Sequence, residues 1–430
     1  MTAGDRFVGS ATCLGCGCAC DDIHLHVRGE IIVDAGRACE LGRAWFGDGR
    51  VPARVLVEGR DASLEAAVTA AAAALTAATR PLVYLAPDLT CEAQRAAVAL
   101  SDLLRASVDT ATSSGGMRPV LAAQERGRAG ATLGEIRNRA DTIVCWAVDP
   151  DVRYPRFRSR YASEPRGIHL PGGRSRTLVA VDVGESAGPP DADRRVTVAP
   201  DQEVAVLTEL AASAQDAAGT TGAIRPPADG PAPALWDLLQ SARYVAIVAD
   251  AEPEAHVPPR DRLRADALVA LSLALNAHTR GALVYLRGGG NRSGADAVLT
   301  WQTGYPAAVD FARGYPRYRP HDGTAGDLLD RGAVDLVLLL GDAAGLPSAL
   351  RLPLSRTRVI ALGPRVSGSA FAGGLVAIDT GIPGIHHAGT ALRMDDVPLP
   401  LRASLEGPPA TEAIVRTLTE RIVTSQGLRP

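Results

Sequence analysis

The densest reactive chemistry in the chain lies in the stretch Thr12-Cys13-Leu14-Gly15-Cys16-Gly17-Cys18-Ala19-Cys20. Cys13, Cys16 and Cys20 fall in a C-x2-C-x3-C spacing, and Cys39 follows after eighteen intervening residues. Three thiolates in a glycine-bearing turn plus one remote thiolate are what a cubane iron–sulfur cluster needs, because each iron takes one sulfur. Tetrahedral zinc accepts similar donors, although zinc ribbons usually pair two C-x2-C knuckles and the second half here supplies one Cys. A third reading is a set of reduced structural thiols with no metal. Cys18 is a fifth candidate that neither metal scheme requires. Spacing alone leaves all three readings open.

The elements around these cysteines are short. Ile23 to Val27 alternates and turns at Gly29-Glu30 into Ile31-Ile32-Val33, which predicts a hairpin. His24 and His26 share one face of its first strand and read as exposed strand residues rather than ligands. A short helix over 38–46 places Cys39 at its start, where the helix dipole favours a thiolate. From about residue 62 the pattern becomes alternating helix and strand. Helices are predicted from Leu64 to Thr79, from Thr90 to Leu104 and from Arg262 to His278. Strands are predicted at 81–86, 140–147, 177–182, 244–249, 282–286, 334–340 and 359–362. Apolar runs without alternation, separated by helices, predict parallel sheets covered on both faces. Cys91 and Cys145 fall within these elements and read as structural thiols.

The expected organisation is a Cys-rich domain over 1–55, a first α/β domain over 56–212 and a linker over 213–234 rich in Ala, Gly, Pro and Thr. A second α/β domain follows over 235–385, and a segment over 386–430 is expected to return to the first. Two loops after strands stand out as ligand candidates: Arg287-Gly288-Gly289-Gly290-Asn291-Arg292 and Leu340-Gly341-Asp342. Glycines there would let backbone amides approach phosphate, with arginine supplying bidentate donors. Arg287, Gly288, Gly289, Asn291, Gly341 and Asp342 are the expected cofactor-binding residues.

The chain has 430 residues and a formal net charge of −3, with no basic block, which argues against a nucleic-acid partner. It contains no lysine, so a Schiff-base enzyme, a Walker phosphate loop and a lysine nucleophile are excluded. No apolar run of signal-peptide type opens it and no stretch approaches a membrane span, so a reducing cytoplasm is the expected setting for its thiols.

Several segments together resemble the B subunit of formylmethanofuran dehydrogenase, of the molybdopterin oxidoreductase superfamily. They are T-C-L-G-C-G-C-A-C-D-D-I with A-C-E-L-G at 38–42, T-C-E-A-Q at 90–94 and T-L-G-E-I-R-N-R-A-D at 132–141. V-L-T-W-Q-T-G-Y-P-A-A-V-D-F-A-R-G at 298–314 and I-P-G-I-H-H-A-G-T-A-L-R-M-D-D-V-P at 382–398 continue the series. The resemblance implies α/β domains of the formate dehydrogenase-like fold around a tungsten or molybdenum bis-pterin. It also implies a [4Fe–4S] cluster on Cys13, Cys16, Cys20 and Cys39. In the family these parts interconvert CO2 and formate, and a zinc amidohydrolase subunit joins formate to a furan amine.

One departure is sharp. The family's metal-ligating Cys, with its following His and Gly, should precede Leu121 to Gln124, where this chain reads Thr112-Ser113-Ser114-Gly115-Gly116-Met117-Arg118-Pro119. A serine oxygen is a much poorer soft-metal ligand than thiolate. The pattern is similar to the redox-inactive subunit of the bacterial formyltransferase/hydrolase complex. There, formyl-tetrahydromethanopterin gives its formyl group to a methanofuran-type carrier and thence to formate. This implies a scaffold without activity of its own, and with the tungsto- or molybdopterin absent. Its implied partners are a zinc amidohydrolase-like A subunit, a C subunit and a formyltransferase subunit. Arg287, Arg292, Arg313 and Arg393 either line an inherited anion-attracting cavity or form salt bridges. The alternatives are an active pterin oxidoreductase with Ser114 as ligand and a cluster-carrying electron-transfer subunit. His386-His387 reads as a surface pair.

Overall fold

The computed structural model describes residues 5–427 except 164–166, 171, 173–175, 220–228 and 253–262. The chain opens with three strands, β1 (Asp5–Ala11), β2 (Ile23–Arg28) and β3 (Ile31–Gly36), followed by helix α1 (Glu40–Phe46). Next come β4 (Val55–Val57), β5 (Arg60–Asp61), α2 (Leu64–Ala77), β6 (Pro81–Leu85), α3 (Cys91–Leu103) and β7 (Ser107–Thr110). Residues 115–287 carry α4 (Met117–Arg126), α5 (Leu133–Arg139), β8 (Thr142–Trp146), α6 (Pro150–Arg153), β9 (Thr177–Val183) and β10 (Arg194–Val198). They continue through α7 (Glu203–Ala217), α8 (Pro231–Leu239), β11 (Tyr244–Asp250), α9 (Arg264–His278) and β12 (Arg280–Leu286). The remainder holds α10 (Arg292–Thr303), β13 (Val309–Asp310), β14 (Arg317–Tyr318), α11 (Ala325–Asp330), β15 (Leu336–Leu340) and α12 (Ser348–Ser355). Last are β16 (Val359–Gly363), β17 (Val376–Asp379), β18 (Gly389–Leu392), β19 (Pro398–Leu401) and α13 (Thr411–Ser425).

Two compact units result, one from residues 1–114 with 288–430 and one from 115–287. In the first, a nine-stranded sheet runs β14-β13-β7-β6-β15-β16-β17-β4-β5. Its central five strands are parallel, and antiparallel pairs finish both edges. The unbroken run Leu336-Val337-Leu338-Leu339-Leu340 shows why alternation is missing. Leu336, Leu338 and Leu340 join the core under α2, α3, α10 and α13, while Val337 and Leu339 join the core under α11 and α12. Both faces are dry, so both sets of side chains are apolar. Thr90 caps α3 through Ala93 N at 3.0 Å, and Ser63 caps α2 through Ala66 N at 3.1 Å. The C-terminal α13 packs on α2 and α3, and Arg421 Nη2 meets Glu65 Oε1 at 2.6 Å.

The second unit is a five-stranded, wholly parallel sheet in the order β10-β9-β8-β11-β12. Its architecture corrects the expected domain division. β8 pairs with β11, so strands from either side of the expected linker at 213–234 share one sheet. Strands at 81–110 pair instead with those at 336–379. Local apolar periodicity locates strands but carries no information on which distant strand each one joins. The linker itself is partly α7 and α8, and its central residues 220–228 lie outside the described ones. The helix expected from Arg262 begins at Arg264; residue 262 is likewise outside the description.

Candidate functional site

The cysteine loop joins β1 to β2. Cys13 N donates to Cys20 O at 2.9 Å and Ala19 N to Cys16 O at 3.1 Å, folding the loop back on itself. Cys39 stands at the N-cap of α1, and Arg43 N returns to Cys39 O at 2.8 Å. Gly42 lets this helix approach: a Cβ there would lie 3.3 Å from Cys13 Sγ and 3.8 Å from Cys39 Sγ. Cys13, Cys16 and Cys20 are buried and Cys39 is half-buried, all as free thiols. Burial pushes the Cys13 thiol up, and the neighbouring charges of Cys16, Cys20 and Cys39 add to the shift. The four predicted sulfurs are therefore within electrostatic reach of one another. Among the described residues, no three His, Cys, Asp or Glu side chains converge on a point that would hold a single metal ion. His24 stacks on Phe7 with centroids 5.3 Å apart, and His26 lies 3.9 Å from Asp5.

The two glycine loops are built differently from the phosphate cradle expected of them. Gly290 N donates to Leu14 O at 2.8 Å, and Asn291 N donates to Pro87 O. At Gly289 a Cβ would stand 2.7 Å from Gly15 O; at Gly290, with φ +88°, it would stand 2.3 Å from Pro87 O. Glycine is needed here because backbone meets backbone. Asn291 is fully buried: its Nδ2 donates to Leu89 O at 2.9 Å and its Oδ1 accepts Leu392 N at 2.7 Å. Gly341 N donates to Leu362 O and Asp342 N to Asp88 Oδ1, both at 2.8 Å, while Asp342 Oδ1 accepts Ala344 N at 2.8 Å. Gly288 is the first residue of the returning segment. The amides at 290, 291, 341 and 342 thus point into the protein. A phosphate cradle does not fit these atoms; Gly289, Asn291, Gly341 and Asp342 instead lock backbone to backbone. Asp88, which the sequence did not single out, organises one of them; burial, reinforced by the charge of Asp342, pushes its carboxyl up to about 7.

Three of the four arginines are engaged as well. Arg287 Nε meets Glu252 Oε1 at 3.1 Å, and Arg393 grips Asp395 with Nε at 2.6 Å and Nη2 at 2.8 Å. Arg292 Nε donates to Gly289 O at 3.2 Å, and Arg313 is exposed. His386 is buried, not superficial as expected, and its Nδ1 accepts Ile382 N at 2.9 Å. His387 is half-buried, and burial pulls it down to about 4 with His386 adding to the effect. The doublet closes a turn against Gly381 and Gly407.

The segment that stands in place of Cys–His is likewise occupied. Residues Ala111–Ser114 form one 3-10 turn, and α4 follows. Thr112 Oγ1 donates to Asp296 Oδ1 at 2.6 Å, and the Ser113 hydroxyl donates to Asp109. Asp109 is buried and also accepts Ala308 N at 3.0 Å and Ala325 N at 2.6 Å. Burial raises its carboxyl to about 6 against these donors. Sequence reading missed Asp109; its only trace is an acidic residue inside an otherwise buried strand.

A cysteine loop ahead of Rossmann-like parallel sheets defines an α/β protein of the molybdopterin oxidoreductase-like class. No protein-family model matches the chain. It is 32% identical over 416 residues to the B subunit of the tungsten-containing formylmethanofuran dehydrogenase 2 of Methanocaldococcus jannaschii, covering 94% of this chain and 95% of that one. The corresponding subunit of Methanococcus maripaludis is 30% identical over 412 residues, with 93% and 94% covered. The chain belongs to the family of formylmethanofuran dehydrogenase B subunits. Among solved structures, a chain of the formyltransferase/hydrolase complex of Methylorubrum extorquens, determined with methylofuran, superposes with a TM-score of 0.71 at 25% identity. That match covers 87% of this chain and 99% of the other. No described helix is long and apolar enough to cross a membrane.

Proposed function

We propose that this chain is the non-catalytic scaffold, of the B-subunit type, in a formyltransferase/hydrolase complex that carries formyl groups from formyl-tetrahydromethanopterin through a furan carrier to formate. The observation that carries this reading is the replaced ligand segment. Thr112 to Pro119 holds no thiol or imidazole, and the Ser113 hydroxyl already donates to buried Asp109. Near-complete coverage of the Methylorubrum chain supports the same assignment. The proposed partners are a zinc amidohydrolase-like A subunit, a C subunit and a formyltransferase subunit, in a cytoplasm whose reducing poise suits seven free thiols.

Cys13, Cys16, Cys20 and Cys39 suit a [4Fe–4S] cluster: four thiols, with Cys13 in electrostatic reach of the other three, match four irons that each need one sulfur. Such a cluster, when bound, supplies one-electron transfer or simply ties the loop to α1. Gly42 and the Cys13–Cys20 backbone bond hold the sulfurs ready in either case. A second reading, an active tungsten or molybdenum subunit, draws on the 32% identity to the tungsten-containing relative.

Elemental analysis with pterin extraction on the purified complex separates them. The scaffold reading expects zinc assignable to the amidohydrolase partner and neither pterin nor tungsten nor molybdenum. Either metal with pterin near one per chain would overturn it. Iron with labile sulfide then reports on the cysteine pocket.

A further inference from the structure

The five-stranded sheet has the strand order by which open α/β sheets take their ligands. Numbered from β8, its strands run third, second, first, fourth, fifth, so the winding reverses between β8 and β11. Diphosphate ligands of such sheets lie outside the carboxyl ends of the strands at that reversal, against a glycine turn, a helix N-terminus and nearby cations. Among the described residues, the chain fills those places itself. The turn after β8 is Val148-Asp149-Pro150, with no glycine, and Asp149 Oδ1 accepts Asp151 N at 3.0 Å. Asp182 in β9 takes Arg195 Nη1 on both oxygens at 2.6 Å and Gly188 N at 2.8 Å.

The reversal itself is bridged. Arg153, from the β8 side, binds Asp250, the last residue of β11, and its Nη1 also donates to Glu252 O at 2.8 Å. Arg287, next after β12, holds Glu252 Oε1 at 3.1 Å. The side chains of Arg287 and Glu252 are only 11% and 9% exposed, so both charges sit in low dielectric with their partners. An incoming phosphate would have to break these pairs and then face two carboxylates of its own sign, Glu252 buried and Asp250 half-buried.

We propose that the switch-point crevice of residues 115–287 is an anion site closed from within, Asp250 and Glu252 standing where a ligand's phosphates would stand. The full chain therefore takes no pterin or nucleotide diphosphate there. The inference deepens the scaffold reading and rests on it in one respect, the absence of a pterin at this crevice.

Calorimetric titration of the purified full-length chain with inorganic pyrophosphate, and separately with ADP, at low salt tests it. The natural chain should bind neither probe. Asp250→Asn/Glu252→Gln, which keeps shape and removes both negative charges, should bind pyrophosphate at least about tenfold more tightly, and added Arg287→Ala should abolish the gain. Binding by the natural chain that Arg287→Ala weakens would overturn the proposal. So would a folded double variant that stays silent. Should the double variant not fold, Glu252→Gln alone carries the same outcomes. Pyrophosphate binding by a complex free of tungsten, molybdenum and pterin would sink the closed crevice and leave the scaffold standing. Metal and pterin in the complex beside a silent chain would do the reverse.

Discussion

The cysteine loop and the strand-end loops are built from the same residue types, small ones with polar atoms close to backbone, and they end in opposite states. In the cysteine loop the main chain satisfies itself, Cys13 N to Cys20 O, and the Cys13 thiol lies within electrostatic reach of Cys16, Cys20 and Cys39. In the strand-end loops the amides of 290, 291, 341 and 342 all donate to atoms of the chain, and Asn291 is bonded on both sides of its amide. The segment at 112–113 follows the second pattern, with Thr112 on Asp296 and Ser113 on Asp109. Donor atoms each matched within the chain are structure, and the strand-end loops meet that condition at each of these atoms.

The largest test of the contrast is at Gly290. Alanine there must hold φ near +88° and place its Cβ 2.3 Å from Pro87 O, a main-chain atom that cannot swing aside. Unfolding in urea should report a loss of about 3 kcal/mol or more. Gly314→Ala, at φ +80° with nothing within 4 Å, should lose only about 1 kcal/mol. Equal losses at the two glycines would show that the close backbone approach contributes nothing, and the lock between this loop and Pro87, after β6, would fall with it.

A second effect is smaller and depends on pH. The Asp109 carboxyl titrates near 6 in the fold, raised from an ordinary 3.8 chiefly by burial. A group raised in the folded state binds more protons there than when unfolded. Its contribution to stability is therefore full below 3.8 and is lost as pH climbs through about 6. Against Asp109→Asn, the natural chain should lose about 1 kcal/mol of its relative stability between roughly pH 5 and pH 7, read from urea midpoints. A difference that stays flat over that range would mean the carboxylate is fully compensated by Ser113, Ala308 and Ala325.

Much of this was legible from residue pattern, and part was not. Strands at 81–85, 142–146, 336–340 and 359–363 announced themselves as apolar runs because both their faces are dry. The grouping of Cys13, Cys16 and Cys20 was fixed by spacing along one turn. The partners of Gly290 and Asn291 were not, because the atoms they meet lie up to 276 residues away (Leu14 O from Gly290 N). A glycine that admits a phosphate and a glycine that admits Pro87 O look identical in sequence. The His386-His387 doublet misled although its partner is local: two imidazoles in a Gly-Pro loop suggest solvent, and only the fold shows Ile382 N aimed at Nδ1.

The smallest expected effect isolates the cysteine pocket from its own surroundings. Cys18 is fully buried between Cys16 and Cys20, so burial alone does not distinguish it from the ligand set. The proposed cluster does: Cys13, Cys16, Cys20 and Cys39 would supply one sulfur to each of its irons, and a fifth thiol would have no iron to take. Cys18→Ala should thus leave iron and labile sulfide in the purified complex unchanged and cost about 1 kcal/mol for the lost sulfur contacts. If iron is lost with Cys18, the set of ligands is other than Cys13, Cys16, Cys20 and Cys39, and the pocket must be redrawn around the inner thiol. If iron stays while stability drops by far more than a buried sulfur accounts for, Cys18 is the residue that shapes the turn. The four outer sulfurs would then owe their grouping to packing around it rather than to any metal they hold.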